Sequence, residues 1–223
     1  MFGNQVWKNN QTPKRYLRLG PCYIAMDQGK ELHVDHFSAG IANFQIANLH
    51  SYLDQRGIKY RDYPSGKDLS VTDPDGTRLQ FSSENSWTQL DGPTASRESL
   101  SIGGEPIFKP TGFDHILLNV TDPEKAAAFY EQVLGAVTQR NNDRTWFQVG
   151  KSRIGLLKTP SGQRPGVNHF CVSASSLNYD ADLKKLEQAG AKLEPAEVAG
   201  SPEFRDPDGY LVQVMVPRTA TKK

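Results

Sequence analysis

Apolar and polar positions alternate along residues 112–120, GFDHILLNV, so that His115, Leu117 and Asn119 share one face of a strand and Ile116, Leu118 and Val120 the other. The period then changes. In TDPEKAAAFYEQVLGA the residues Phe129, Tyr130, Val133 and Leu134 fall on one helical stripe, Asp122 suits the N-cap, Pro123 the first helical position and Gly135 the stop. Two short strands follow, RTWFQVG and RIGLLK, separated by a turn at Gly150. The same grammar restarts at GVNHFCVSA, where His169, Cys171 and Ser173 face away from Phe170, Val172 and Ala174. It passes through the helix YDADLKKLEQAG, with Tyr179, Leu183 and Leu186 inward, and ends in DPDGYLVQVMV, where Leu211, Gln213 and Met215 alternate with Val212, Val214 and Val216.

The stretch from HVDHFSAGI to LQF repeats this plan in register. The DPDG turns at 73 and 206, the glutamines at 80 and 213, the histidines at 36 and 169, and the glycines at 57 and 190 are each 133 residues apart. In both turns proline presets the bend and glycine supplies a positive φ, so a hairpin is expected to lead into the last strand. Further upstream, YLRLGPCYIAM parallels WFQVGKSRIGLL with Gly20 matching Gly150, and MFGNQVWKNN parallels VLGAVTQRNN. The first copy therefore lacks a first strand and helix. The expectation is a longer parent chain carrying roughly 35 to 45 more residues, the scale of a βα unit. The alternative is a second copy of the chain, in a homodimer, covering the open edge.

Composition narrows the classes of partner. The 26 Lys and Arg nearly balance 25 Asp and Glu, and no basic stripe points to nucleic acid. No run of about 18 apolar residues points to a membrane span, and the N-terminus has no apolar h-region, so a soluble cytoplasmic protein is expected. Two cysteines, Cys22 and Cys171, without CxxC spacing, read as thiols.

The stretches DHILLNVTDPEKAAAFYEQVLGA and NHFCV…DPDGYLVQV, and the weaker DHFSAGI…DPDGTRLQF, resemble the βαβββ modules of the vicinal oxygen chelate superfamily. That group includes glyoxalase I, extradiol dioxygenases and the bleomycin- and fosfomycin-resistance proteins. The resemblance implies an α+β fold of repeated βαβββ modules paired into curled mixed sheets around a concave site. The domains expected are residues 1–86, a partial and a complete module; a linker, 87–111; residues 112–217, two complete modules; and a solvated tail, 218–223.

The resemblance also implies a divalent ion, Fe(II), Mn(II), Zn(II) or Ni(II), held by a His, His, Glu pattern from first and last strands. Carried over, the ligands fall on His115, His169 and Gln213, with His36 and Gln80 as a less favoured second site in the first copy. Gln213 offers a neutral oxygen where the pattern has a carboxylate, so Gln213→Glu is expected to tighten metal binding. Asn119, Cys171 and Met215 are the candidate substrate contacts; Cys171 is alternatively a fourth, soft ligand or a small buried thiol. Two functions stay open. One is a metal-dependent enzyme on a small substrate with vicinal oxygens, of dioxygenase, lyase, isomerase or transferase type. The other is a metal-free binding protein of the bleomycin-resistance kind.

Overall fold

The computed structural model describes residues 1–2, 6–10, 13–30, 32–86, 97–100, 105–141 and 143–217. The expected tail, 218–223, and most of the expected linker lie outside these residues. Three strands open the chain: β1 (Val6–Asn9), β2 (Arg15–Leu19) and β3 (Cys22–Met26). A module follows as β4 (His36–Ile41), α1 (Ile46–Asp54), β5 (Tyr60–Asp62), β6 (Leu69–Thr72) and β7 (Arg78–Ser83). After β8 (Arg97–Leu100), a second module runs through β9 (Pro110–Val120), α2 (Pro123–Leu134), β10 (Gln139–Asn141), β11 (Arg144–Val149) and β12 (Ser152–Lys158). The last comprises β13 (Gly166–Ala174), α3 (Tyr179–Gln188), β14 (Lys192–Glu194), β15 (Glu203–Arg205) and β16 (Leu211–Met215). Hydrogen bonding orders the strands β3-β2-β1-β8, β4-β7-β6-β5 and β10-β11-β12-β9-β13-β16-β15-β14. These are the mixed sheets expected of βαβββ modules.

Local chemistry explains the boundaries. Asp122 accepts from the backbone N–H groups of Glu124 and Lys125 at 3.1 Å each, Pro123 opens α2 and Gly135 closes it at φ 94°. Both DPDG segments fold alike. Asp73 Oδ1 accepts from the N–H of Asp75 and Thr77, and Asp206 Oδ1 from the N–H of Asp208 and Tyr210. Gly76 and Gly209 supply φ of 93° and 89°, and antiparallel hairpins β6–β7 and β15–β16 result. The β2–β3 and β11–β12 hairpins turn at Gly20 and Gly150, each at φ 59°.

The helix stripes differ in detail from the periodic expectation. In α2 the buried residues are Ala126, Ala127 and Tyr130, while Phe129, Val133 and Leu134 are only partly covered, because two small residues let the helix sit close on its underside. In α3 Asp182 is buried beside Leu186; its Oδ2 accepts from the Asn178 N–H at 2.8 Å, tying the first turn. Val216 is 47% exposed, since β16 ends one residue before it.

The chain packs as two compact units that are not consecutive segments. One comprises Met1–Leu32, Leu90–Ile116 and His169–Lys223, the other His33–Gln89 and Leu117–Asn168. The first is centred on Leu19, Phe108, Val172, Ala174, Leu186, Phe204, Val212 and Val214. Burying each of the leucine, valine and phenylalanine side chains contributes about 1.5–3 kcal/mol. In the second, fully buried Tyr130 donates its hydroxyl to Asp73 Oδ2 at 3.0 Å.

Burial is the largest influence on the Asp73 carboxyl and holds its pKa above the ordinary value, against the donors that surround it. The folded state thus keeps this proton to higher pH than the unfolded chain does. That contribution to stability is present below the ordinary carboxylate pKa and is lost as pH rises through the raised folded value. Asp73→Asn removes the titration. Its unfolding free energy, relative to the parent, is expected to rise across that window, as read by urea melts at a series of pH values.

Candidate metal centre

Register builds this site. Strands β13 and β16 pair in parallel with His169 opposite Leu211 and Cys171 opposite Gln213, and β15 pairs with β16 so that Glu203 lies opposite Gln213. Paired residues share a sheet face, so His169, Cys171, Gln213 and Glu203 rise together. The other face carries Val172, Phe204, Val212 and Val214 into the core. From β9, His115 meets His169 with the two Nε2 atoms 3.0 Å apart and the rings steeply inclined at 73°. Both imidazoles are buried, at 5% and 4% exposure.

Asp114 Oδ1 lies 2.6 Å from His115 Nδ1. A carboxylate accepts, so the ring proton sits on Nδ1 and the lone pair of Nε2 is turned toward His169. The ligand atoms of Asp114, His115 and Cys171 lie within 4.8 Å of one another. Gln213, 2% exposed, donates from Nε2 to Glu203 Oε1 at 2.9 Å, and the same oxygen accepts from the Glu197 N–H at 2.8 Å.

This donor set fits a divalent ion. Two buried imidazoles whose Nε2 atoms meet at 3.0 Å, with the Cys171 thiol and the Asp114 carboxyl close to His115, are donors that a borderline divalent ion would take. A carboxylate behind a histidine is also the usual means of fixing ring orientation and strengthening a ligand. His115 and His169 would hold the ion, with Gln213 on the same sheet face, opposite Cys171.

Comparison with known proteins bears on the same segments. Residues 112–214 match the Glyoxalase/Bleomycin resistance protein/Dioxygenase superfamily. The metallothiol transferase FosB of Shouchella clausii is 30% identical over 114 residues, covering 46% of this chain and 78% of the transferase. The chain belongs to this superfamily. A lactoylglutathione lyase of Schizosaccharomyces pombe is similar over a greater length, 23% identical across 88% of this chain and 70% of its own. Among solved structures, the halotolerant catechol dioxygenase BphC matches with TM-score 0.67 over 98% of this chain and 81% of its own, at 17% identity, a likeness of fold.

Of the superfamily residues expected from sequence, His115, His169, Cys171 and Gln213 occupy one unit. Met215 follows two residues along the same strand face as Gln213 and is partly exposed. Asn119 belongs to the other unit, where its Oδ1 accepts from Asn168 Nδ2 at 3.0 Å. The first copy has a comparable motif: His36 Nδ1 lies 2.7 Å from Asp35 Oδ2, and Gln80 pairs with Ser38 in register. There, however, Arg78 also reaches Asp35 and stands 3.4 Å from His36 Nδ1. Both Asp35 and the guanidinium thus crowd the same ring nitrogen of His36.

Two residues escaped sequence reasoning, Asp114 and Glu203. The first had a signal, since the dipeptide Asp-His occurs at both 35–36 and 114–115. Asp114→Ala would leave His115 Nδ1 without its carboxylate in a buried setting. The expected cost to the metal-free protein is about 1–3 kcal/mol, measured by chemical denaturation.

No helix among the described residues is long and apolar enough to cross a membrane.

Proposed function

We propose that this chain is a divalent-metal-dependent enzyme acting on a small molecule with two adjacent oxygens, with His115, His169 and Gln213 as ligands. The observation that carries the reading is the buried His115–His169 pair, its Nε2 atoms 3.0 Å apart and one ring backed by Asp114. When bound, the ion supplies Lewis acidity to the substrate oxygens. Asp114 keeps the His115 proton on Nδ1 and so keeps Nε2 available. The core face of β13 and β16 holds His169 and Gln213 in register. Cys171, fully buried on the same face, gives that wall a small and soft lining; with Met215 it stands as the proposed substrate contact, while Asn119 is bonded to Asn168 in the other unit. The first copy serves a structural role, its histidine being paired with Asp35 beside Arg78. Fe(II), Mn(II), Zn(II) and Ni(II) all suit imidazole and amide donors.

A second reading, a metal-free binding module, draws support from the same contact. Two imidazoles at 3.0 Å can share one proton and satisfy each other without an ion.

Metal content separates them. Protein purified without added metal is expected to carry a divalent ion, and His169→Ala to lose it. In the parent, the ion should raise stability by about 2.7 kcal/mol at one hundred times its Kd, an increment that vanishes in the variant. Denaturant melts with and without chelator read this directly. A parent with neither bound metal nor a metal-dependent increment leaves only the binding module.

A further inference from the structure

Gln213 occupies the place where the superfamily pattern has a carboxylate, yet a carboxylate lies one strand away. Glu203 on β15 faces Gln213 across the antiparallel ladder, 5% exposed, and its Oε1 accepts from Gln213 Nε2 at 2.9 Å. We propose that Glu203 is a positioning residue for the metal site: it fixes the Gln213 amide with its carbonyl oxygen free for the ion and returns to the site the negative charge that residue 213 lacks. This rests on the metal reading above.

The orientation of the amide follows from chemistry. An ionised carboxylate can only accept, so the atom of Gln213 that meets Glu203 is the nitrogen and the atom left over is Oε1. A flipped amide would set two acceptors against each other. Glu203 is itself held, since the Glu197 N–H binds the same Oε1 at 2.8 Å. Its other oxygen accepts no hydrogen bond among the described residues.

Charge gives an independent argument. Glu203 Oε1 is held by two N–H donors, and no cation among the described residues forms an ion pair with this carboxyl group. The nearest candidate along the strand, Arg205, is committed to Glu194 at 2.7 Å and to the Gly209 carbonyl at 2.8 Å. A buried anion without a counter-ion is costly, and a divalent cation on the neighbouring imidazoles would offset it.

The arrangement reverses the expectation that Gln213→Glu tightens binding. A second carboxylate at 213 would face Glu203 Oε1 across a contact now 2.9 Å long, replacing a hydrogen bond by like-charge repulsion. Exchanging the two residues, by contrast, restores an amide–carboxylate pair between 203 and 213, with the amide at 203 turning so that its oxygen and nitrogen divide the two contacts that Oε1 now holds alone. A glutamine introduced at 203 can accept from the Glu197 N–H through its oxygen and donate through its nitrogen to a carboxylate at 213.

The test is calorimetric titration of chelator-stripped protein with Mn(II) and with Zn(II), each variant also being melted metal-free to establish that it folds. Glu203→Gln and Gln213→Glu are each expected to weaken binding by about 10- to 100-fold. The double variant E203Q/Q213E is expected to recover most of that loss. Equal affinity in the parent and Glu203→Gln, or a folded double variant no better than the single ones, overturns the inference alone. A parent that binds neither ion overturns it together with the metal reading. Should Glu203→Gln fail to fold, Gln213→Glu decides: weaker binding supports the inference and tighter binding overturns it.

Discussion

Parallel pairing of the first strand of a module with its last is the constraint on which the site depends. In β13–β16 it sets Cys171 against Gln213 and His169 against Leu211, and in β4–β7 it sets Ser38 against Gln80 and His36 against Arg78. The two registers are the same after a shift of 133 residues. A slip of one residue would turn every side chain to the opposite face. Here it would drive His169 and Gln213 into the core now filled by Val172, Val212 and Val214. The apolar residues of that face thus hold the polar set in place, and the DPDG hairpins fix where the last strand begins.

Features legible in the sequence were those set by local chemistry. The α2 cap at Asp122, the stop at Gly135, the glycines of the turns and the alternation of β9, β13 and β16 each depend on a few neighbouring residues. What could not be read depends on partners distant in sequence. Ala126 and Ala127 are buried in preference to Phe129 because the closeness of the helix to its support, not its own period, decides which residues are covered. Glu203 lies in a strand of three residues beside prolines and acidic residues, where a glutamate reads as surface; only the ladder to Gln213 reveals its burial. Asp114 alternates away from His115 on an ideal strand, so alternation placed it on the wrong side of the site.

Burial shapes the chemistry in two opposing ways. It weakens competition from water, so the Asp114–His115 bond and the His115–His169 contact hold their geometry without solvent screening. It also makes every uncompensated charge expensive, and Asp114 and Glu203 place carboxylates on or beside the same group of donors. The polar groups here are therefore poor contributors to fold stability beside the eight-residue core under them. Their cost is offset in part by the bonds that Asp114 makes to His115 and that Glu203 accepts from Gln213 and the Glu197 N–H.

The two copies show how one register can serve different ends. In the first, Asp35 precedes the histidine and Arg78 faces it across the ladder, so ring, carboxylate and guanidinium meet in a partly exposed cluster. At the matching positions of the last module stand Asn168 and Leu211. Both charges have gone together. Asn168 turns instead to Asn119, and Leu211 puts no cation beside His169. A guanidinium 3.4 Å from His36 Nδ1 crowds the nitrogen that Asp35 already holds, whereas at the matching place of the last module a leucine stands and the imidazole of His169 meets that of His115. Replacing only the arginine would strand an aspartate, and replacing only the aspartate would strand an arginine beside the ring. The paired difference separates a partly exposed charged cluster in the first copy from a buried pair of imidazoles in the last module.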